Sequence, residues 1–297
     1  MIHCQSLYGK KNKKMKWSLK NNPPTWKSGF QVDIKMQKII AKKSLGQNFL
    51  RSKKVLAEII RAGKVSMSDT VLEIGPGEGA LSEKLLESGA KVIAVEKDDR
   101  LIDFFNEKFS KEITSGQLLL IHGDILDLDL SSYGLRTNSY KLIANIPYYI
   151  TGQIFRKFLE GDIQPSKIVI LVQKEIADRI VARDGKESIL SISVKAYGNA
   201  KKVIKVGREN FSPKPMVDSA VLMIDNISKD FFKNLDEKKF FEVLKTGFAH
   251  KRKVLIANLK NLAKKDIKTI FSELKIPEKA RAENLKPENW KELAKML

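Results

Sequence analysis

From residue 70 to residue 225, short apolar runs alternate with helical stretches, and that alternation rules out most architectures. "TVLEIG" (70–75), "KVIAVE" (91–96), "QLLLIHGD" (117–124), "YKLIAN" (140–145) and "KIVILVQ" (167–173) have strand length and carry near-continuous apolar stretches in their middles. A strand with one wet face alternates apolar and polar residues. Runs that are apolar throughout are buried on both faces, as in parallel sheets covered by helices on either side. The helices stand between them: "GALSEKLLES" (79–88), "DDRLIDFFNEKF" (98–109) and "TGQIFRKFLE" (151–160). Before them, "SKKVLAEIIRAG" (52–63) puts Val55, Leu56, Ile59 and Ile60 on one helical face, with Ser52 as N-cap. Helical stretches near 174–183 and 188–197 and strands at 201–207 and 218–225 close the region. The expectation is an α/β fold around a mainly parallel sheet.

The pattern changes at both ends. After residue 226 the chain is helical, basic and free of strand signals, which predicts a small all-α C-terminal domain over 227–297. Residues 1–35 are rich in Lys, Asn and Pro without a period, and read as a disordered basic N-terminal arm, with Met36 as an alternative start. The α/β domain then spans 36–226.

Charge follows these divisions. The net charge is +20, made up of +10 over residues 1–50, −3 over 51–140, +5 over 141–230 and +8 over 231–297. Basic flanks around a slightly acidic block suit a phosphate-rich partner such as nucleic acid; solvated lysine-rich helix faces are the plain alternative. A single cysteine, Cys4, forbids an internal disulfide and any multi-cysteine metal site, and His3, His122 and His250 are scattered, so no metal is expected. No apolar run approaches ~20 residues, so a membrane span is not expected. Together these features suit a cytoplasmic protein.

Chemistry gathers at the strand ends. "VLEIGPGEGALSEKLL" (71–86) leaves a strand and opens a helix, with Gly75, Gly77 and Gly79 spaced G-x-G-x-G rather than G-x-G-x-x-G. Glycines there let the chain turn tightly and approach a ligand closely. Glu73 and Glu78 flank the loop. Carboxylates disfavour a pyrophosphate but tolerate a cationic ligand such as S-adenosylmethionine. Glu96, about 20 residues past the glycines, can accept both ribose hydroxyls, or it is one of several surface acids. Asp124 can accept from the exocyclic amine of an adenine, or it caps a turn. The fourth strand ends in "NIPY", with Asn145, Pro147 and Tyr148 opening onto the same carboxyl-end crevice. Pro147 stops the ladder, Asn145 brings an acceptor and donors, and Tyr148 offers a flat face.

The motifs taken together resemble the ribosomal RNA adenine dimethyltransferases, a class I S-adenosylmethionine-dependent family. "KKSLGQNFL" (42–50), "EIGPGEGALS" (73–82), "VIAVEKD" (92–98), "GDIL" (123–126), "NIPYYIT" (145–151), "FSPKPMVDSAV" (211–221) and "FAHKRKVLIANLK…ARAENL" (248–285) match in order, over about residues 36–297. The resemblance implies a Rossmann-like fold with a seven-stranded sheet and S-adenosyl-L-methionine as cofactor. It places Asn48 and Leu50 against the methionine end and has Gly75 touch the cofactor through backbone, within the loop that includes Gly77. Glu96 would hold the ribose, Asp124 the adenine amine, and Asn145 both cofactor and target base. Tyr148 would stack on the target adenine and Phe211 close its other face. The prolines of "SPKPM" (212–216) would stiffen that loop, or form a plain rigid connection. "HKRK" (250–253) and the lysines at 201, 202 and 205 become candidates for RNA phosphates, with solvated faces the alternative.

The implied reaction is dimethylation of two adjacent adenosines near the 3′ end of 16S rRNA, within a small-subunit precursor, by a monomer. "EIGPGEGALS" and "ARAENL" favour this branch over the related resistance methylases of 23S rRNA. Intact Glu96, Asp124 and Asn145 argue against a non-catalytic nucleic-acid-binding factor of the same fold, and the glycine spacing argues against a dehydrogenase. The chain departs from the family pattern at Tyr149, where Asn is frequent, at Thr151, where Ser is, and at Ser82, where Thr is commoner. Tyr149 is expected to face the helix start in a structural role.

Overall fold

A computed structural model describes residue 42 and residues 45–250, 252–263 and 266–297; the expected N-terminal arm lies outside these. The chain enters through a two-residue strand, β1 (Phe49–Leu50), then α1 (Lys53–Gly63), β2 (Thr70–Ile74), α2 (Ala80–Glu87), β3 (Lys91–Glu96), α3 (Asp99–Lys108), α4 (Ser110–Thr114) and β4 (Leu118–His122). β5 (Lys141–Asn145) leads through a 3-10 turn at Tyr148–Ile150 into α5 (Thr151–Phe155), which runs on as one turn of π-helix. β6 (Lys167–Gln173), α6 (Lys174–Ile180), α7 (Ile189–Lys195), β7 (Asn199–Val206), β8 (Phe211–Ser212) and β9 (Ser219–Asp225) complete the α/β part. From there the described residues form only helices: α8 (Glu237–Gly247), α9 (Leu255–Leu259), α10 (Ile267–Glu273), α11 (Pro287–Met296) and short 3-10 turns.

Seven strands form one sheet in the order β4-β3-β2-β5-β6-β9-β7. The first five run parallel, and β9 is antiparallel to both neighbours. The central strands are largely apolar because they feed two cores, whereas β7 at one edge carries Lys201, Lys202 and Lys205. In β6, Ile168, Ile170 and Val172 point to one face and Val169 and Leu171 to the other. Ile59 of α1, Leu85 of α2 and Phe105 of α3 cover the second face, and Phe155 of α5, Ile180 of α6 and Ile192 of α7 cover the first. The cluster on the first face runs without a break into Phe240 and Leu244 of α8 and Trp290 of α11, so the C-terminal helices share a core with the sheet.

Strand order reverses between β2 and β5: β3 and β4 lie to one side, β6 and beyond to the other. The chain leaves β2 at Gly75 and ends β5 at Asn145, so both stand at the switch point where open α/β sheets bind ligands.

Candidate active site

A cavity of about 310 Å³ opens at this switch point, within the usual range for a small-molecule site. Among the residues lining it are Asn48, Gly75, Gly77, Glu96, Asp124, Asn145, Pro147 and Tyr148, drawn from five separate segments. Leu50 and Phe211 are not among them. They are Cα partners across the β1–β8 ladder, 4% and 3% exposed, in the core beneath the cavity. In this structure the Phe211 ring is buried and shows no face to the cavity, against the expectation that it closes on a base.

The glycine loop is built as its spacing suggests. Gly75 and Gly77 have φ of +62° and +60°, left-handed values that cost other residues energy. A Cβ at Gly75 would meet nothing within 4 Å, which leaves main chain open to a ligand; a Cβ at Gly77 would lie 2.9 Å from Phe49 Cε1. The two acids flanking the loop do not face a ligand. Glu73 is buried under it, its Oε2 accepting from Ser82 Oγ at 2.6 Å, and burial pushes its carboxyl up to about 8. Glu78 is bound by Arg51. The sequence argument that both carboxylates meet a cation is thus corrected, and the anionic side of the cavity comes from Glu96 and Asp124.

Glu96 ends β3 at 5% exposure. Its Oε1 accepts the N–H groups of Lys97 (2.9 Å) and Asp98 (2.8 Å), and its Oε2 accepts that of Gly77 (3.2 Å). Burial raises its pKa and these bonds oppose the rise. They fix the carboxylate's direction and tie the end of β3 to the glycine loop. Asp124 is held by Lys97 Nζ at 2.6 Å and by the Leu126 N–H at 2.9 Å; the ammonium keeps its pKa below the usual range.

Asn145 Nδ2 donates to the Asn48 carbonyl at 3.0 Å, and no described group donates to its Oδ1. Of the two neighbouring carbonyls, that of Pro147 already accepts the Ile150 N–H at 3.2 Å, which leaves that of Ile146 the freer acceptor. The Tyr148 hydroxyl bonds Ser219 Oγ of β9 at 2.6 Å, which fixes its ring.

Residues 45–51 wrap the mouth of the cavity. Gln47 Nε2 donates to Asp98 at 2.8 Å, Phe49 packs on Gly77, and Arg51 lies 5.7 Å over the Phe49 ring while holding Glu78. Sequence reading named Asn48 and Leu50 here but missed Gln47, Phe49 and Arg51; an amide, an aromatic ring and a guanidinium clustered just after Gly46 were the available signal. Tyr149 also departs from expectation. It is 63% exposed and stands on the rim. Of the lysines named for phosphates, Lys202 is bound by Asp178 and Lys205 by Asp218, while Lys201 is exposed, as are Arg252 and Lys253.

The sheet order, the glycine turn, the acid that ends β3, the amide that ends β5 and the aromatic just beyond it define a Rossmann-like class I methyltransferase. Solved structures agree: a 23S rRNA methyltransferase, ErmE, superposes with a TM-score of 0.69 at 24% identity, covering 84% of this chain and 99% of that one. A dimethyladenosine transferase from Plasmodium falciparum superposes at 0.68 with 27% identity, covering 82% and 95%. The family model for ribosomal RNA adenine dimethylase matches residues 39–297. Ribosomal RNA small subunit methyltransferase A of Dehalococcoides mccartyi is 41% identical over 85% of this chain and 87% of its own, and that of Fusobacterium nucleatum 39% over 86% and 97%. The chain belongs to the ribosomal RNA adenine dimethylase family, and with it goes the reaction, dimethylation of adenine in ribosomal RNA.

Proposed function

We propose that the protein dimethylates N6 of two adjacent adenosines near the 3′ end of 16S rRNA within a small-subunit precursor, acting as a cytoplasmic monomer with S-adenosyl-L-methionine as methyl donor. The observation that carries the chemistry is the fixed amide of Asn145, whose Oδ1 is left as an acceptor at the switch point. Similarity to small-subunit methyltransferases over most of the chain supports that branch over the large-subunit one. Among the described residues no helix is long and apolar enough to cross a membrane.

The residues fit the cofactor. Open main chain at Gly75, the backbone-fixed carboxylate of Glu96 and the acceptor Asp124 suit its amino-acid, ribose and adenine parts in turn. Asn48 completes the lining, and Leu50 supports it from below. The bound cofactor supplies an electrophilic methyl group. The chain's own work is done on the base. An adenine amine is a poor nucleophile because its lone pair is spread into the ring. Asn145 Oδ1 and the Ile146 carbonyl accept its N–H hydrogens, favour a pyramidal nitrogen and aim its lone pair into the cavity. The Tyr148 face grips the ring, which stacks at a gain of about 1–3 kcal/mol. Rate then comes from positioning and preorganised acceptors.

The test is methyl transfer from labelled cofactor to unmethylated small-subunit particles, beside free 23S rRNA. Label in two adjacent adenosines of the small-subunit RNA supports the reading. Label only in 23S rRNA would move the protein to the other branch, and lack of cofactor binding by calorimetry would sink it.

A further inference from the structure

Tyr149 and Gln153 stand where two hollows meet. Both line the cavity described above, and both line a larger hollow of about 1190 Å³ bounded by α5, α6 and α7. Main chain backs the Tyr149 ring on one side: a Cβ at Gly46, where φ is +62°, would lie 3.3 Å from its Cδ1 and Cε1. The ring is otherwise largely open to water.

The larger hollow is not built for phosphates. Six carboxylates and four cations line it. Each of those cations is engaged by a carboxylate, with Arg179 on Glu175 at 2.8 Å and Lys186 on Glu283 at 3.3 Å. An RNA backbone is repelled from such a surface, whereas an uncharged base ring is not. A flat uncharged group is the kind of partner that such a surface tolerates beside Tyr149.

Tyr148, the face proposed for the target adenine, and Tyr149 are consecutive, with Cα atoms about 3.8 Å apart. Two flat groups so joined match two bases joined by one phosphodiester. We propose that Tyr149 is the stacking platform for the nucleotide next to the target adenine, with the Gln153 amide meeting that base's polar edge. Gln offers both donors and an acceptor, so it can satisfy more than one base edge. The inference rests on the RNA-adenine reading above, and it makes Tyr149 a substrate-positioning residue.

The experiment compares wild type, Tyr149→Phe and Tyr149→Ala in steady-state methyl transfer to unmethylated small-subunit particles, with cofactor affinity measured separately by calorimetry. Y149F keeps the ring and is expected to match wild type. Y149A is expected to raise KM for the particle about tenfold, in line with loss of one base stack, with a smaller change in kcat and unchanged cofactor affinity. A wild-type KM in Y149A would overturn the proposal, as would equal damage in Y149F or a parallel loss of cofactor affinity, which would mean that the ring merely shapes the cavity. Wild type inert toward the particles would instead overturn the functional reading beneath it.

Discussion

The side-chain amide of Asn145 donates to the main-chain carbonyl of Asn48 at 3.0 Å. This contact joins the end of β5 to the segment that wraps the cavity mouth, and it decides which end of the amide is free. A carbonyl can only accept, so Nδ2 must face Asn48, and Oδ1 is left for another donor.

Removing that acceptor should be felt in the chemical step. Asn145→Ala is expected to lower single-turnover methyl transfer at saturating cofactor by about 10²–10³-fold, the usual cost of a preorganised electrostatic partner. Asn145→Asp should be at least as damaging, because it sets an oxygen against the Asn48 carbonyl. An Asp variant with near wild-type turnover would show that the amide orientation is irrelevant.

Gly77 links the glycine loop to the same segment. With φ of +60° and Phe49 Cε1 2.9 Å from where a Cβ would sit, Gly77→Ala meets both backbone strain and a clash. A loss of about 1–3 kcal/mol in unfolding free energy is expected from the strained dihedral. Cofactor affinity should fall as well, because Gly77 N–H orients Glu96. Denaturant unfolding and calorimetry measure the two effects, and an alanine variant unchanged in both would refute the account.

How far the sequence carried can be seen strand by strand. β2, β3, β5 and β6 were legible because each is buried on both faces and so is mostly apolar, with Glu73 the one charged residue inside these runs. Glu96 and Asn145 were legible because each closes such a run, and Asp124 because it stands just past the end of β4. β1 and β8 were not, since two-residue strands have no period, and their pairing joins segments remote in sequence. For the same reason Phe211 looked like a ring facing substrate, whereas it lies buried opposite its ladder partner Leu50. Glu73 and Glu78 share a loop, yet one turns inward to Ser82 and the other out to Arg51, a difference set by tertiary packing.

The buried place of Phe211 yields its own test. Phe211→Ala opens a cavity among Leu50, Val55 and their neighbours and should destabilise the fold by about 3–5 kcal/mol, seen in denaturant unfolding. Phe211→Leu fills most of that volume, so both fold and turnover should stay near wild type. A leucine variant that folds normally yet fails to turn over would return the ring to the substrate.

Glu73 sets a pH dependence of stability. Burial raises its pKa from 4.5 to about 8 in the folded state, against the opposing Ser82 bond. Between those values the native state holds a proton that the unfolded chain releases. The stabilising contribution is therefore full below about 4.5, shrinks as pH rises through this window and is lost above about 8. Glu73→Gln stays neutral at every pH and still accepts from Ser82 Oγ through its Oε1, although its amide hydrogens meet a site shaped for a carboxyl. That cost does not depend on pH, so the informative quantity is the slope. Urea unfolding at pH 5 and pH 8 should show wild type losing more stability across the interval than E73Q. Parallel losses in the two proteins would mean that Glu73 is ionised beneath the loop throughout, with a positive charge or water sharing its site.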